Sequence, residues 1–517
     1  MEPHLQLPLL ERAQSGDADF RLTSADRSGE SVLVSLCGVG SEVALPAPPG
    51  PGEQYRFHFD MTKCIGCKCC VVACNEQNGN PPEIQWRRVG EIEGGVYPAT
   101  QRHYLSMGCN HCLEPTCMTG CPVDAYSKDS VTGIVRHSAD ACIGCQYCTW
   151  NCSYGVPQYN PARGVVGKCD MCYGRLTQGQ LPACSAACPE GAIRIEVVRT
   201  EEWRKEFLAA ASSPGMPAED HSLSTTRITL PGRIAQYLRK ADANRLQLED
   251  AHWPLVVMTV LTQVSVGAFC AIGLLELMGA RRHRGAAIAA LLVAAIALAA
   301  STLHLGRPIH AWRALRMWRR SWLSREVLLF TAFAHVAAAY SAALWMGARG
   351  TMLLGALTAV TGLAGVAASA RLYLVPGRPA WNSPFTFAEF FLTAALLGTL
   401  AASALAGLTP LAQSLFTVTG LVMIAAGAGK LFWLYLSPSN ERHGTAVLLL
   451  TALSTPLLAR YVMLATALIA LSFAHGVAGV AVVAALALGG EFLGRYLFFV
   501  SVVPTNMAAQ YLAPEAA

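Results

Sequence analysis

The stretch CIGCKCCVVAC at residues 64–74 returns as CIGCQYCTWNC at residues 142–152, with cysteines at the same first, fourth, seventh and eleventh places. Cys64, Cys67, Cys70 and Cys74 make one group, and Cys142, Cys145, Cys148 and Cys152 another. Two further groups alternate with them: Cys109, Cys112, Cys117 and Cys121, then Cys169, Cys172, Cys184 and Cys188. Both of these close on Cys-Pro-x-x-Ala, as CPVDA and CPEGA. Three thiolates within seven residues wrap one corner of an iron–sulfur cube, while the fourth leads away to ligate a second cluster. Soft thiolate donors suit such clusters. Four groups of four therefore imply four [4Fe–4S] clusters, close enough for a chain of one-electron hops. Zinc sites prefer two separated CxxC pairs, and disulfides suit small secreted domains. Cys37, Cys69 and Cys270 fall outside the spacing and read as bystanders.

Working outward, the repeat is an internal duplication of a two-cluster ferredoxin unit. It lies in the polar half of a divided chain. Only 14% of the 517 residues are charged, against roughly 25% in an ordinary soluble domain. Residues 1–253 carry 23 basic and 28 acidic groups, whereas residues 254–517 carry 16 and 6, with no Asp. A single soluble globule and a disordered chain are both excluded. The net charge of +5 is no nucleic-acid signal, because its excess sits in the apolar half. The fold class is an α+β, ferredoxin-like, duplicated iron–sulfur domain joined to an all-α polytopic membrane domain of about eight helices. The expected boundaries are an N-terminal extension and linker at 1–55, the four-cluster domain at 56–198, a soluble connector at 199–253, the membrane domain at 254–503 and a tail at 504–517. Within the connector, helices are expected around Thr200–Ala211 and Gly232–Leu248.

Apolar stretches near the ~20 residues that cross a bilayer as helix lie at about 255–278, 286–303, 326–346, 352–374, 387–408, 414–436, 457–474 and 476–503. The piece TAVLLLTALST at 445–455 either lengthens the seventh or lies along the interface. With the N-terminal side inside, inner segments carry fifteen Arg and Lys and outer loops four: Arg281, Arg282, Arg284 and Arg349. Basic loops mark the cytoplasmic face. A multi-pass inner-membrane protein with its cysteine domain on the cytoplasmic side is expected. No twin-Arg or hydrophobic leader opens the sequence, which fits that orientation.

Ionisable residues within spans are costly and usually functional. The candidates are Glu276, His304, Glu326, His335, Glu389, Lys430, Glu491 and Arg495. The run STLHLGRPIHAWRALRMWRRSWLSREV puts His304, Arg307 and Glu326 beside Trp312, Trp318 and Trp322, at the depth where an amphipathic quinone head group docks. Near neutral pH His can donate or accept the hydrogen bonds and protons a quinone exchanges. Trp at this depth also serves as a plain interfacial anchor. Glu491 and Arg495, four residues apart, suggest an intrahelical ion pair. His304, His335 and His475 show no same-depth pairing for haem.

The stretch from Phe57 to Val198, with CNHCLEPTC, CPVDAY, CIGCQYC, YGVPQYN and KCDMCYGRL, resembles the four-cluster electron-transfer subunit of the dimethyl sulfoxide reductase family of molybdenum enzymes. The HLG…P…W…LSRE run and the ending GGEFLGRYLFF are similar to that family's hydrophobic anchor subunit, so the chain reads as the two fused. The resemblance implies mixed ligand sets. Cys64, Cys67 and Cys70 would join Cys188; Cys169, Cys172 and Cys184 would join Cys74. Cys109, Cys112 and Cys117 would join Cys152; Cys142, Cys145 and Cys148 would join Cys121. It further implies an electron-transfer and quinone-docking role, exchanging electrons between membrane menaquinone or ubiquinone and a separate molybdopterin-containing catalytic subunit. A rival reading is a redox-driven ion pump, with Glu276, Glu389, Lys430 and Glu491 as the proton path.

Overall fold

The computed structural model describes residues 22–25, 31–34 and 45–507, less short stretches at 211–215, 218–220, 233–237, 242–245, 280–281 and 407–408. Cys37, Arg233, Arg245, Arg281 and most of the N-terminal extension and tail lie outside the described residues. A short hairpin pairs Leu22–Ala25 with Ser31–Val34.

The polar half closes on itself through a three-stranded sheet. β1 (Glu53–Asp60) alternates Tyr55, Phe57 and Phe59 into the core, as a period of two requires. Two further strands lie along β1, and both come from late in the chain. β4 (Ile193–Arg199) pairs with it antiparallel and β5 (Arg227–Thr229) pairs parallel. The first cysteine group follows β1 and the fourth precedes β4, so this pairing brings the two ends of the duplicated unit together. β2 (Arg88–Gly94) and β3 (Gln101–Met107) form a hairpin extended by β6 (Arg239–Lys240). That strand replaces part of the helix expected at 232–248; a partner edge outweighed local propensity. The other connector helix forms as expected, at Thr200–Ala210.

Short helices follow or interrupt the cysteine loops: α1 (Cys69–Asn78), α2 (Thr116–Gly120), α3 (Tyr147–Asn151), α4 (Tyr173–Leu176) and α5 (Ala183–Ala186), followed by α6 (Thr200–Ala210). Each CIGC loop turns through a left-handed glycine, Gly66 at φ 73° and Gly144 at φ 70°, before α1 and α3 begin. That conformation strains any residue with a Cβ.

All eight expected spans are helices: α7 (Trp253–Leu277), α8 (Arg284–Thr302), α9 (Trp322–Met346), α10 (Thr351–Leu372), α11 (Pro384–Ala406), α12 (Pro410–Tyr435), α14 (Ser454–Leu471) and α15 (Gly476–Val500). The 445–455 piece is divided: α13 (Asn440–Leu450) ends in a break at Thr451, and α14 starts at Ser454. α7 is central, packed against α8, α10, α11 and α15. Small residues let the backbones touch there: a Cβ on Gly267 would stand 2.3 Å from the Ala394 carbonyl oxygen of α11.

Near the end of the bundle that faces the cysteine domain, Lys430 of α12 holds both carboxylate oxygens of Glu389 at 2.9 and 3.0 Å. Glu491 does not close a pair with Arg495 inside α15. It accepts from Thr393 of α11 and lies 3.8 Å from Arg460 of α14, while Arg495 donates to Gln263 of α7 at 3.1 Å. Pairing between helices wins because it satisfies groups that lipid cannot. Removing one partner of such a pair strands the other charge, at a cost of about 3–5 kcal/mol. Glu389→Gln is therefore expected to lower the melting temperature in detergent, and adding Lys430→Met should recover part of the loss. Unchanged melting of the single variant would contradict this pairing.

Candidate cysteine quartets and a cavity at the membrane face

The cysteine groups mix in space. One cavity is walled by Cys64, Cys67 and Cys70 together with Cys188, and a second by Cys109, Cys112 and Cys117 together with Cys152. The remaining cysteines fall into two more sets. Cys74 interacts with Cys172, Cys184 and Cys169, whereas Cys121 interacts with Cys142, Cys145 and Cys148. The quartets join three cysteines of one group to the last of another. Among the described residues no three His, Cys, Asp or Glu side chains converge as a single ion needs. Four thiolates on one zinc would stand about 3.8 Å apart, from bonds of ~2.3 Å at tetrahedral angles. Donors spread around a cavity fit a polynuclear cluster instead. Burial pushes the Cys70 thiol up to about 11 and Cys74 and Cys145 up to about 12, so cationic iron would have to stabilise the thiolates. Cys69 is exposed, and Cys270 sits in α7 away from every quartet.

The loop between α8 and α9 is pressed onto this domain. Gly306 donates its amide to the Gly144 carbonyl at 3.4 Å, and Ser321 Oγ donates to the Gly120 carbonyl at 2.7 Å. Arg320 pairs with Asp124 at 2.9 Å. From the other side, Tyr147 Oη donates to the Leu372 carbonyl at the end of α10, at 3.0 Å. The alternate loops of the bundle thus meet the cysteine domain, and the Arg282 and Arg349 loops lie at the opposite end. Arg282 is 3.7 Å from Glu276 there, which offsets part of the discordant outer charge.

Between the domain and the bundle lies a cavity of about 240 Å³. A cavity of ~150 Å³ already admits benzene, so this one takes an aromatic head group. Cys145, Trp150, His304, Glu326 and Tyr373 supply its polar and aromatic wall; Met258, Leu298 and Phe330 are among its apolar residues. The His304 ring lies against the Cys145 backbone. Its Nε2 is buried and has no partner within the described protein. Burial, with His252 beside it, lowers His304 to about 4, so the ring is neutral near pH 7. Glu326 is 5% exposed and lies near Ser369 of α10.

Of the three residues expected at a quinone, the structure brings His304 and Glu326 to one cavity and sends Arg307 elsewhere. Arg307 Nη1 donates to the Ala139 carbonyl at 2.8 Å, a tie between domains outside the cavity lining. Trp312 and Trp318 are exposed, as interfacial anchors are. The residues expected as one proton path are divided between the two ends of the bundle. Glu276 accepts from Tyr340 and Thr351 at the far end, away from Glu389, Lys430 and Glu491. Sequence reasoning missed His252 and Trp150, whose rings lie 5.1 and 6.3 Å from His304. It also missed that Cys145 lines the cavity. The dipeptide His252-Trp253 at the polar–apolar boundary was the one available signal.

Residues 100–198 match the family described as "4Fe-4S dicluster domain", and residues 249–500 match "DMSO reductase anchor subunit (DmsC)". The chain is 37% identical over 177 residues to the B subunit of anaerobic dimethyl sulfoxide reductase from Haemophilus influenzae, covering 32% of this chain and 85% of the relative. The corresponding Escherichia coli K12 protein is 38% identical over 172 residues, covering 32% of this chain and 82% of the relative. Hydrogenase-2 operon protein HybA of E. coli O157:H7 is 35% identical over 213 residues, covering 36% and 64%.

Proposed function

We propose that this chain, which belongs to the family of the anaerobic dimethyl sulfoxide reductase B subunit and carries that enzyme's anchor domain fused behind it, docks membrane quinone and passes electrons through four [4Fe–4S] clusters to or from a separate molybdopterin catalytic subunit. The observation that carries the reading is the shared wall of the cavity. His304, Glu326 and the cluster cysteine Cys145 line one space, and the His304 ring lies against the Cys145 backbone. His304 Nε2 accepts a hydroxyl proton from a quinol, Glu326 accepts or returns the second, and the apolar walls exclude water. The clusters, when bound, supply the one-electron carriers. Cys64, Cys67, Cys70 and Cys188 hold the first; Cys74, Cys169, Cys172 and Cys184 the second; Cys109, Cys112, Cys117 and Cys152 the third; Cys121, Cys142, Cys145 and Cys148 the fourth, beside the cavity.

At the far end of this wire Cys67 is exposed, with Ile65 and Val72 exposed around it. Apolar surface beside an accessible cluster suits the docking of the catalytic subunit. The excess of basic groups on the cysteine-domain side over the Arg282 and Arg349 end favours the cytoplasmic face of an inner membrane for the cysteine domain. Purification of the tagged full chain from its native membranes tests the partnership. Near-stoichiometric molybdenum in a large co-purifying subunit is expected, and a preparation of the intact complex without molybdenum would overturn it.

A further inference from the structure

Two buried cations lie among the quartets, and neither is needed to ligate iron. Arg87 is 2% exposed and donates from Nη1 to the Ser106 carbonyl and hydroxyl at 3.3 and 3.2 Å; Ser106 Oγ in turn lies 3.3 Å from Cys70 Sγ. Its Nη2 has no partner within the described protein. The groups facing its charge are Cys70, Cys74, Cys169 and Cys184, drawn from the first and second quartets. Lys168 is 3% exposed. Its ammonium donates to the Val135 and Cys169 carbonyls and lies 3.7 Å from Cys109 Sγ. It faces Cys109 and Cys117 of the third quartet and Cys169 of the second. All three ammonium donors are thus occupied, two by carbonyls and one by a sulfur. The gap between the third and fourth quartets is filled differently. Tyr126, neutral and buried, stands there beside Cys117, Cys121 and Cys148. Arg320 approaches Cys121 but is partly exposed and already paired with Asp124.

Asp170 acts on Lys168 from beyond ion-pair distance, and neither cation closes a carboxylate ion pair among the described residues; a buried charge so placed is expensive, and a thiolate-ligated cluster is the anion that would offset it. Reduction adds one more negative charge to the cluster, so a fixed cation favours the reduced form. Coulomb's law at an effective dielectric of about 20 makes one charge at ~10 Å worth more than tenfold in that equilibrium. Net charge and hydrogen bonds to sulfur are the levers that set cluster potentials. We infer that Arg87 and Lys168 are electrostatic positioning residues that raise the reduction potentials of the clusters they lie between, Arg87 those of the first and second quartets and Lys168 those of the second and third. The inference rests on the four-cluster reading.

The test is redox titration of the purified full chain, followed by electron paramagnetic resonance, with iron measured on the same samples. Lys168→Gln keeps a hydrogen-bond donor but removes the charge. Two cluster potentials are expected to fall by at least tenfold in equilibrium constant, 59 mV for one electron, while the other two move far less. Lys168→Arg should restore them. Arg87→Gln should lower a pair that shares only one cluster with the first. Unchanged potentials in both Gln variants would overturn the inference, and so would loss of iron in both, which would assign the cations to scaffolding. Failure of the four-cluster reading looks different: the unaltered chain would then lack the iron.

Discussion

His304→Ala is expected to slow reduction of the clusters by quinol at least ~100-fold while the iron content of the chain stays intact. A positioned base contributes roughly 10²–10⁴ to a proton-coupled step, and His304 Nε2 is the buried, unpartnered acceptor on the cavity wall. The substitution also removes the ring that lies against the Cys145 backbone, so the cluster environment needs a separate check. Dithionite, which does not use the cavity, should reduce the variant's clusters as fast as those of the unaltered chain. Stopped-flow absorbance with each reductant separates the two. Equal rates with quinol would remove His304 from the site.

Gly306→Val is expected to abolish quinol-driven reduction by a different route. A Cβ on Gly306 would stand 2.2 Å from the Gly164 carbonyl oxygen and 2.6 Å from its carbon, so backbone meets backbone and no side chain can swing aside. On the facing loop, a Cβ on Gly144 would meet Gly164 at 2.4 Å and Gly306 at 2.9 Å. The anchor loop must then lift off the cysteine domain, carrying His304 away from Cys145 two residues upstream of the lesion. A displacement of about 1 Å at a reacting centre costs on the order of 10²-fold, and overpacking costs about 1–3 kcal/mol besides. Quinol reduction should fall by that factor or more, with dithionite reduction and iron content retained. Faster proteolysis between the domains would accompany it. Normal quinol kinetics in Gly306→Val would mean that this contact does not set the geometry.

The parts legible in the sequence are those whose chemistry demands a local pattern. Thiolates around a cluster need fixed spacing, so the four groups were visible as written. Bilayer thickness demands length and apolarity, so all eight spans were found within a few residues of their observed ends. The mixing of groups came only through resemblance; in the fold, β1 meeting β4 brings the first and fourth groups together, and α2 packing on α3 the second and third. What stayed hidden depends on contacts between distant segments. Cys145 looked like any other ligand until the α8–α9 loop packed beside it. Arg307 reads as a quinone donor beside His304, yet a carbonyl at Ala139 lies closer to its guanidinium than the cavity does. Glu491 and Arg495 have the spacing of a helical pair, but partners on α7, α11 and α14 compete for both. Arg87 and Lys168 carry no pattern at all, because their role depends on burial between segments brought together by folding.

The central claim is that electrons pass directly between a membrane quinone and the clusters of this one chain. Anaerobic addition of quinol to the purified full chain, without any catalytic partner, tests it most directly. About 16 iron atoms per chain and the appearance of a [4Fe–4S] signal by electron paramagnetic resonance on adding quinol alone are expected. Clusters that dithionite reduces but quinol leaves oxidised at every concentration would contradict it.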